Sequence, residues 1–544
     1  MTTLLRYFHT LRHLRPIQIA ARLRTRLQSP GADTRAPPPR RSLTGLYEPV
    51  IRGAPSLVAE NTFRFLNVER ACTEAGDWRN PQATKLWLYH LHYFDDLNAR
   101  DAEVRAAWHT ALLRRWVDQN PPGAAIAWEP YPVSRRIVNW VKWSARGNEL
   151  PPTCQASLAV QARWLNRRVE YHILGNHLLA NASALIHAGL YFSGAEAQGW
   201  YEHGMRLITR ELREQMLSDG GHFERSTMYH AAVLGDLLDL INLVRAAAGA
   251  LPADWAVRAS RMHRWLSVMS HPDGEISFFN DAAFGLAPRL AELSAYAARL
   301  GLEPQAPALE ALTLLQPSGY VRAAAGPAML LCDCAPVGPD YLPGHAHADT
   351  LSFELSLDGQ RLLVNSGTSQ YGSDSERHRQ RGTAAHNTVV VDGLDSSEVW
   401  GGFRVARRAR PKLICAQEDS REILIEASHD GYRRLSHGGE HTRRWALERN
   451  SLSIEDRLDG KFESAEAYFH LHPQVRIRAA GEEEVVLESA ERMVRMRFSG
   501  AACVRVQPGT WHPRFGESIA NCHLRVRLRA GHLQTRLLWG DERA

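Results

Sequence analysis

The sequence predicts two parts, a barrel or toroid of antiparallel α-helices followed by an antiparallel β-sandwich. Between about residues 62 and 315, apolar residues recur with the period of a helix, and short Gly/Pro breaks separate the runs. From Gly319 onward, short alternating runs are separated by tight-turn signals, which is typical of a sandwich. The change falls near residues 316–319, and ligands favour such a domain seam. The predicted parts are an N-terminal arm and linker at 1–45, a helical domain at 46–316 and a sandwich at 317–544.

Length and composition limit the class of protein. At 544 residues the chain is too long for one ordinary core, and 44% hydrophobic with 23% charged residues is typical of a globular protein. The net charge of +6 is compatible with an anionic ligand, although solvated surface charge explains it more simply. Seven isolated cysteines predict no disulfide framework. The chain carries no phosphate-binding Gly loop and no G-x-S-x-G motif, which argues against nucleotide-driven chemistry and an α/β-hydrolase.

The first 45 residues are a basic arm with a linker. Arginines interrupt an apolar helical stripe, and Pro16 should break the helix. The stripe consists of Leu4, Leu5, Phe8, Leu11, Ile17 and Ile19. We expect it to pack on its own protein, and contact with a membrane surface is the alternative. Residues 29–41, rich in Pro and Arg, are predicted as the linker.

Seven segments of the helical part carry the clearest helical period. They are 102–117, 133–143, 157–169, 176–191, 197–216, 226–248 and 287–300. So many helices with short breaks predict a toroid in preference to a four-helix bundle.

Four dipeptides in the second part predict tight turns. They are Asp358-Gly359, Asp430-Gly431, Asp459-Gly460 and Ala530-Gly531. Around the first of them, residues 351–358 alternate apolar and polar, which predicts a half-buried strand, and residues 361–364 return as its partner.

Histidines border this hairpin. His345 and His347 lie one residue apart, so an extended backbone places both on one side, facing one cleft, and Asp349 follows them. His386 precedes the strand predicted at 388–391. Imidazoles with a carboxylate suit zinc, although the spacing matches no standard zinc motif, and hydrogen-bonded surface histidines are the alternative.

The helical part contains a second polar cluster. Asn176 and His177 lie where a helix is predicted to begin, so Asn176 is either a cap or a functional group. Ser226 is predicted as an N-cap, which places Tyr229 in the first helical turn. The helix macrodipole and Arg225 should then lower the pKa of Tyr229 and let it exchange a proton at neutral pH. Simple aromatic packing is the alternative.

Seven segments carry a family resemblance. They are 87–95, 128–134, 175–181 (GNHLLAN), 219–230, 271–281, 344–367 and 385–388 (AHNT). In these segments the chain resembles the heparinase II/III-like polysaccharide lyases, which pair an N-terminal α/α toroid with a C-terminal antiparallel β-sandwich. Beyond about residue 404 the resemblance is weaker.

The resemblance implies cleavage of a uronic-acid-containing chain by β-elimination, in which the C5 proton is removed and the C4 oxygen leaves. Asn176 matches the position that neutralises the substrate carboxylate. Tyr229 matches the catalytic tyrosine and His345 the catalytic histidine. We expect these two on opposite sides of one sugar ring, with the base and the acid unassigned between them. Further substrate contacts are expected from His177, Glu224, Arg225 and His230.

The resemblance also implies a metal site formed by His347, Asn365 and His386. Asn365 stands where relatives often carry an aspartate, and an amide is a weaker, neutral ligand. The resemblance thus leads us to expect a divalent metal, zinc in preference to calcium. Because of Asn365, loose, altered or absent binding stays open.

Two alternatives to a lyase remain. One is a carbohydrate-binding protein of polysaccharide synthesis or export. The other is a glycoside hydrolase, which needs a pair of carboxylates; Asp219 and Glu224 are near Tyr229, but nothing in the sequence pairs them at a stated distance. The expected partner is an acidic polysaccharide and not nucleic acid. No signal peptide or transmembrane run is evident, which predicts the cytoplasm, whereas the resemblance suggests a periplasmic or secreted protein. The sequence indicates neither the polymer nor the oligomeric state.

Overall fold

The first half of the chain is helical, as predicted. The structure is a computed structural model that describes residues 3–27, 31–302, 310–490 and 492–539. The described helices are α1 (Thr3–Leu11), α2 (Pro16–Leu27), α3 (Lys85–Tyr93), α4 (Ala106–Gln119), α5 (Pro130–Ala145), α6 (Pro152–Arg167), α7 (Asn176–Tyr191), α8 (Ala195–Gln215), α9 (Thr227–Ala246), α10 (Trp255–Val268), α11 (Leu290–Arg299) and α12 (Ser375–Arg381).

All seven predicted helices are present, and α7 has the predicted bounds. Helix α7 packs against α5, α8 and α9 and is buried on nearly every side, because its apolar residues surround the whole helix. Buried tryptophans complete this core, with Trp116 edge-on to Trp140 at 5.8 Å between ring centroids. None of the described helices has the length and apolarity needed to cross a bilayer.

The arm (residues 3–27) is two helices that break at Pro16, as predicted. The expectation that its apolar stripe packs on the protein is wrong. The buried residue of α2 is the polar Gln18, whose amide donates to the carbonyls of Ile173 and Tyr341. Leu4 and Phe8 are exposed instead. Of the predicted linker, residues 29 and 30 lie outside the described residues.

Three short strands that were not predicted lie between α2 and α3: β1 (Leu57–Ala59), β2 (Thr62–Phe65) and β3 (Val68–Ala71). The remaining strands form the second half. They are β4 (Leu312–Leu315), β5 (Tyr320–Ala325), β6 (Ala328–Asp333), β7 (Phe353–Leu357), β8 (Gln360–Leu363), β9 (Val389–Val391), β10 (Val399–Trp400), β11 (Arg404–Val405), β12 (Pro411–Glu418), β13 (Glu422–His429), β14 (Gly438–Glu448), β15 (Ser451–Gly460), β16 (Ala465–His470), β17 (Arg476–Ala480), β18 (Glu484–Ser489), β19 (Arg492–Ser499), β20 (Ala501–Trp511), β21 (Ile519–Leu528) and β22 (His532–Leu538).

Three antiparallel sheets build the sandwich. Their strand orders are β4-β5-β6-β7-β8, β20-β21-β16-β9 and β12-β13-β14-β15-β22-β19-β18-β17. Leu355, Phe469 and Trp445 come from the three different sheets and share one hydrophobic core. Alternating inward-facing side chains therefore fill the space between the sheets, as predicted for a sandwich.

Two of the four predicted turns are tight turns. Asp358 and Gly359 have φ of 48° and 80° and join β7 to β8, as a type I′ turn requires. Ala530-Gly531 likewise separates β21 from β22. The other two dipeptides also lie between successive strands, but they are not tight turns. Asp430-Gly431 leads into a 3₁₀ turn between β13 and β14, and Asp459 and Gly460 are the last two residues of β15.

Strand β7 is buried on both faces, so the prediction of a half-buried strand is also wrong. The polar face is covered by residues 270–283, here called the seam loop, which follow α10. Glu354 accepts hydrogen bonds from His271 at 2.9 Å and from the backbone N–H of Phe278 at 3.0 Å. The polar residues of the strand thus bind the helical half and do not face water.

The seam lies slightly earlier in the chain than 316–319. Helix α11 ends at Arg299 and β4 begins at Leu312. The seam loop joins the two halves, since the Arg361 guanidinium of β8 donates to the Asp273 carboxylate at 2.7 Å. Polar contacts across the seam therefore hold the two halves together.

Candidate active site

Asp281 of the seam loop is the centre of the site. Its carboxylate is fully buried and bonds His345 Nδ1 at 2.9 Å and His347 Nε2 at 2.8 Å. The two terminal nitrogens of the Arg377 guanidinium, Nη1 and Nη2, donate to it as well. Burial by itself would raise the pKa of Asp281, but the Arg377 charge and the histidine hydrogen bonds hold it well below its usual range. Asp281 is therefore an anion that orients both histidines.

His345 is the more accessible of the two histidines. Its side chain retains 16% exposure, whereas that of His347 is fully buried. Nδ1 is bound to Asp281, and Nε2 lies 3.8 Å from a Glu224 oxygen. One carboxylate contacts both histidines, but residues 344–348 are not a strand and His347 is fully buried, so the prediction that both face one cleft is wrong for His347.

Tyr229 packs directly on His345. Ser226 caps α9 as predicted, and its hydroxyl accepts the Tyr229 backbone N–H. The rings of Tyr229 and His345 lie 4.0 Å apart between centroids. Rings in contact leave no room for a sugar between them, so this arrangement does not match the expected placement on opposite sides of one sugar ring.

The predicted fall in the pKa of Tyr229 is also wrong. Burial raises this pKa well above its usual value, and the nearby Tyr371 and Asp281 raise it further. The phenol lies 2.9 Å from the Tyr371 hydroxyl. Arg225, which was expected to favour a phenolate, turns away. Tyr229 is therefore a neutral phenol at neutral pH.

Asn176 begins α7 and is held by Glu224. Its amide nitrogen lies 3.0 and 3.2 Å from the two carboxylate oxygens, and its backbone N–H donates at 3.1 Å. The N-cap is Gly175, so the interpretation of Asn176 as a cap is wrong. At Gly175 φ is 59°, and an added Cβ would lie 2.5 Å from Glu224 Oε1 and 2.2 Å from Leu342 Cδ2. Only glycine fits this approach.

His177 lies at the same end of the helix. Burial lowers its pKa, but Glu170, 3.1 Å from Nδ1, and then Glu224 and Glu129 raise it overall. The ring packs 4.4 Å from that of Tyr131 between centroids. The raised pKa favours the cationic form of the imidazole, which suits an acidic sugar.

Two of the expected substrate contacts point elsewhere, which corrects those assignments. His230 is fully buried; its Nδ1 accepts the His222 backbone N–H and its Nε2 donates to the Met262 carbonyl. The Arg225 guanidinium donates to the carbonyls of Ser318 and Phe223. Both side chains therefore form hydrogen bonds with other parts of the protein.

His347, Asp349 and His386 form a buried group that could hold a metal ion. One ligand atom from each lies within 4.8 Å of the others. His347 Nδ1 and His386 Nε2 are 3.3 Å apart, close to the ~3.3 Å between two nitrogens bound tetrahedrally to zinc at ~2.05 Å. Burial lowers the pKa of His347 to about 4 and that of His386 to about 3, so both are neutral, as ligands must be. These residues fit a divalent ion.

Asn365, the expected third ligand, is buried close by. Its Oδ1 accepts the backbone N–H of Asn387 at 3.3 Å, and among the described residues its Nδ2 has no hydrogen-bond partner. The carboxylate of the group comes from Asp349, whose pKa burial raises. The ligand role of Asn365 stays a prediction.

Sequence reasoning missed four residues of the site: Asp281, Arg377, Tyr371 and Asp349 as a possible ligand. Asp281 belonged to a resembling segment and Asp349 was noticed beside the histidines, so both had a signal. Tyr371 lies just before the short helix α12 and Arg377 lies within it, and no sequence motif marks either residue.

Comparisons with known proteins agree with this architecture. The family model "Heparinase II/III N-terminus" matches residues 96–298, and the model "Heparinase II/III-like, C-terminal" matches residues 307–539. Among solved structures, that of heparinase III has a TM-score of 0.70 at 18% identity and covers 86% of this chain and 80% of its own. This likeness shows the fold.

Curated relatives match over shorter lengths. A "Heparin-sulfate lyase" of Bacteroides stercoris is 26% identical over 42% of this chain and 37% of its own length. "FtsZ-localized protein C" of Caulobacter vibrioides is 27% identical over 55% of this chain and 54% of its own. The chain therefore spans about half or less of these relatives. Since two models of one family cover both halves, and the fold is that of heparinase III, this protein belongs to the heparinase II/III-like family.

Proposed function

We propose that this protein is a polysaccharide lyase that cleaves an acidic, uronic-acid-containing polysaccharide by β-elimination. The observation that carries the proposal is the contact between Tyr229 of the helical half and His345 of the sandwich, beside the anionic Asp281. The relatives named heparin-sulfate lyase support a glycosaminoglycan as the substrate class.

His345 is the general base in this proposal. Asp281 accepts the Nδ1 hydrogen, so Nε2 is left as the ring nitrogen that can accept a proton. Nε2 takes the proton from C5, the electrons of the C5–H bond form the C4–C5 double bond, and the C4–O bond breaks. The ionised Asp281 stabilises the imidazolium that forms.

Tyr229 is the general acid. Burial keeps its phenol protonated, so its hydrogen is available to the C4 oxygen as that oxygen leaves. The proton held by His345 then returns to the tyrosine oxygen or to solvent, which restores both groups.

The two groups act on one face of the sugar. Their contact favours a substrate in which the C5 hydrogen and the C4 oxygen lie on the same face of the ring. Glucuronate has this arrangement and its C5 epimer iduronate does not. We therefore propose glucuronate-type linkages as the preferred site of cleavage.

Neutralisation of the substrate carboxylate falls to Asn176 and His177. Charge develops on this carboxylate as C5 loses its proton, and placed donors stabilise it. The Asn176 amide bonds Glu224 in the free protein. A uronate at the Asn176 amide would compete with Glu224 for the same hydrogens, so Glu224 releases Asn176 when a uronate binds.

We further propose that His347, Asp349 and His386 hold a divalent ion, with Asn365 beside it. Two neutral imidazoles favour zinc, whereas calcium prefers ligand sets made of oxygen alone. These residues are buried, so a bound ion would tie the His345–Asp349 segment to the segment of His386 and support the site.

A panel of uronate polymers tests the function. The protein is incubated with glucuronate-type and iduronate-type chains while ultraviolet absorbance and reducing ends are measured together. A lyase raises both, because elimination leaves a conjugated C4–C5 double bond, and glucuronate-type chains should react faster. Reducing ends without absorbance would indicate hydrolysis, and binding without either would indicate a carbohydrate-binding protein.

The hydrolase alternative lacks support from its carboxylates. Asp219 accepts from the backbone N–H groups of Gly221 and Ser318, and Glu224 is bound to Asn176. Neither is placed with a second free carboxylate across a bond, as acid–base hydrolysis requires.

A further inference from the structure

The arm presents its apolar side chains to solvent, and the residue that it buries, Gln18, is polar. Nine of the 21 large apolar side chains that are exposed in the described residues lie in this arm. On α1, Leu4, Phe8 and Leu11 form a stripe at 80%, 60% and 50% exposure. On α2, the exposed stripe is Ile19, Leu23 and Leu27. This spacing of three or four residues places each set along one helix face.

Polar and aromatic contacts attach the arm to the body. Gln18 is the buried residue of α2, and the Trp400 indole donates to the Thr10 hydroxyl at 3.1 Å. Tyr7 packs on the Trp400 ring at 5.0 Å, and Arg15 lies 3.7 Å above the Tyr341 ring. The orientation of the arm is therefore set by specific contacts that leave its apolar stripes outward.

The charge of the arm has one sign. Residues 1–27 contain six arginines and no acidic residue. Arg22 and Arg26 are exposed one turn apart on α2, beside the apolar stripe of that helix. Exposed apolar stripes flanked by arginines are the pattern of helices that lie in a membrane interface.

We propose that the arm docks on the surface of a membrane that contains anionic lipid. Leu4, Phe8 and Leu11 would enter the headgroup region while the arginines contact lipid phosphates. This inference is independent of the proposed reaction. A second copy of this chain is disfavoured as the occupant, because a two-fold contact would bring arginine-rich faces together.

Docking would also set the position of the cleft. The arm bridges the two halves, since Gln18 contacts Ile173 of the helical half and Tyr341 of the sandwich. Leu342 lies beside Gly175 at the start of α7, and Phe403 packs on the His345 ring at 6.1 Å. A bilayer under the arm would therefore lie near the cleft, which suits a polysaccharide at a membrane surface.

Flotation of the full-length protein with lipid vesicles tests the proposal. The vesicles contain phosphatidylcholine alone or phosphatidylcholine mixed with phosphatidylglycerol, at low and high salt. We expect flotation with the anionic vesicles that weakens with salt. Leu4→Asp/Phe8→Asp and Arg22→Glu/Arg26→Glu should each lower binding by about tenfold or more. The matched controls are Val104→Asp/Val257→Asp and Arg505→Glu/Arg527→Glu, which change exposed residues far from the arm in the sequence.

The outcomes separate the possible occupants. Loss of binding in the arm variants, with folding and control binding kept, supports the proposal. No flotation of the wild-type protein, or equal loss in arm and control variants, overturns it. Light scattering that shows a dimer lost in the arm variants, with no flotation, also overturns it and assigns the face to a second copy.

Discussion

Tyr229 shows how surroundings override position within a helix. Its place in the first turn of α9 favours a phenolate by about 1 kcal/mol at most. Burial and a neighbouring phenol act in the opposite sense, and the pKa rises. Desolvation is the larger effect, because a negative charge on Tyr229, held between Tyr371 and His345, would lose the hydration that a charge keeps at a helix end facing solvent.

Removal of the Tyr229 hydroxyl should abolish most activity. Tyr229→Phe keeps the ring contact with His345 and deletes the proposed proton donor, so kcat should fall by ~100-fold or more with KM little changed. Steady-state kinetics on a polymer that the wild type cleaves measure this. Tyr371→Phe is the control, because it removes only the hydrogen-bond partner. A fully active Tyr229→Phe would refute the mechanism.

Asp281→Asn should lower kcat by ~100-fold or more, because an amide no longer fixes the His345 tautomer or stabilises the imidazolium. KM should change little, since Asp281 is buried. Thermal unfolding measured beside the kinetics separates lost orientation from lost folding. The control is Asp273→Asn, on the same loop but bound to Arg361. Equal losses in both variants would contradict a specific role for Asp281.

At the scale of elements, the start of α7 depends on a close approach. Gly175→Ala would add strain at φ 59° and push a methyl group into Glu224 and Leu342, so we expect a loss of about 1–3 kcal/mol in stability and displacement of Asn176. Gly194→Ala before α8 is a matched control, since φ is 90° but no atom lies within 4 Å of the added Cβ. Chemical denaturation and activity of both variants give the comparison; equal costs would mean that the close approach is unimportant.

Substitutions of the histidines near the β7–β8 hairpin should separate metal binding from catalysis. Elemental analysis should find up to one zinc or similar ion per chain. His347→Ala and His386→Ala should lose it, and His345→Ala should keep it while losing activity. Asn365→Asp should tighten binding if Asn365 is a ligand, because a carboxylate is the stronger donor. Retention of the ion in His347→Ala would end the assignment.

At the scale of the whole molecule, the buried histidines should make the folded protein less stable as the pH falls. Burial lowers the pKa of His92 and His230 to about 3 and that of His187 and His222 to about 4. Because the unfolded chain takes up these protons near pH 6.5, stability should fall as the pH drops from about 7 toward 4. One such histidine costs about 2 kcal/mol at pH 5, against a total of about 5–15 kcal/mol.

Urea unfolding between about pH 5 and 7 measures this dependence. His187→Gln should reduce the slope of the unfolding free energy by up to about 1.4 kcal/mol per pH unit. The control is His378→Gln on α12, where the side chain is exposed. A slope that His187→Gln leaves unchanged would show that another group governs acid unfolding.

The periodic patterns of the sequence determined much of this protein. Helical period located the seven predicted helices, and positive φ at Asp358-Gly359 follows from local turn chemistry. That one group could contact both His345 and His347 followed from their closeness in sequence. Such features depend on neighbours in sequence, so sequence was sufficient for them.

Tertiary structure decided what depends on distant residues. Asp281 and His345 are 64 positions apart and meet only because the seam loop packs on β7. The same packing buries the polar face of that strand, and burial reverses the predicted pKa of Tyr229. The outward stripe of the arm likewise follows from contacts of Gln18 and Thr10 with remote residues. Burial and charge at a site are sums over the whole fold, which local periodicity does not contain.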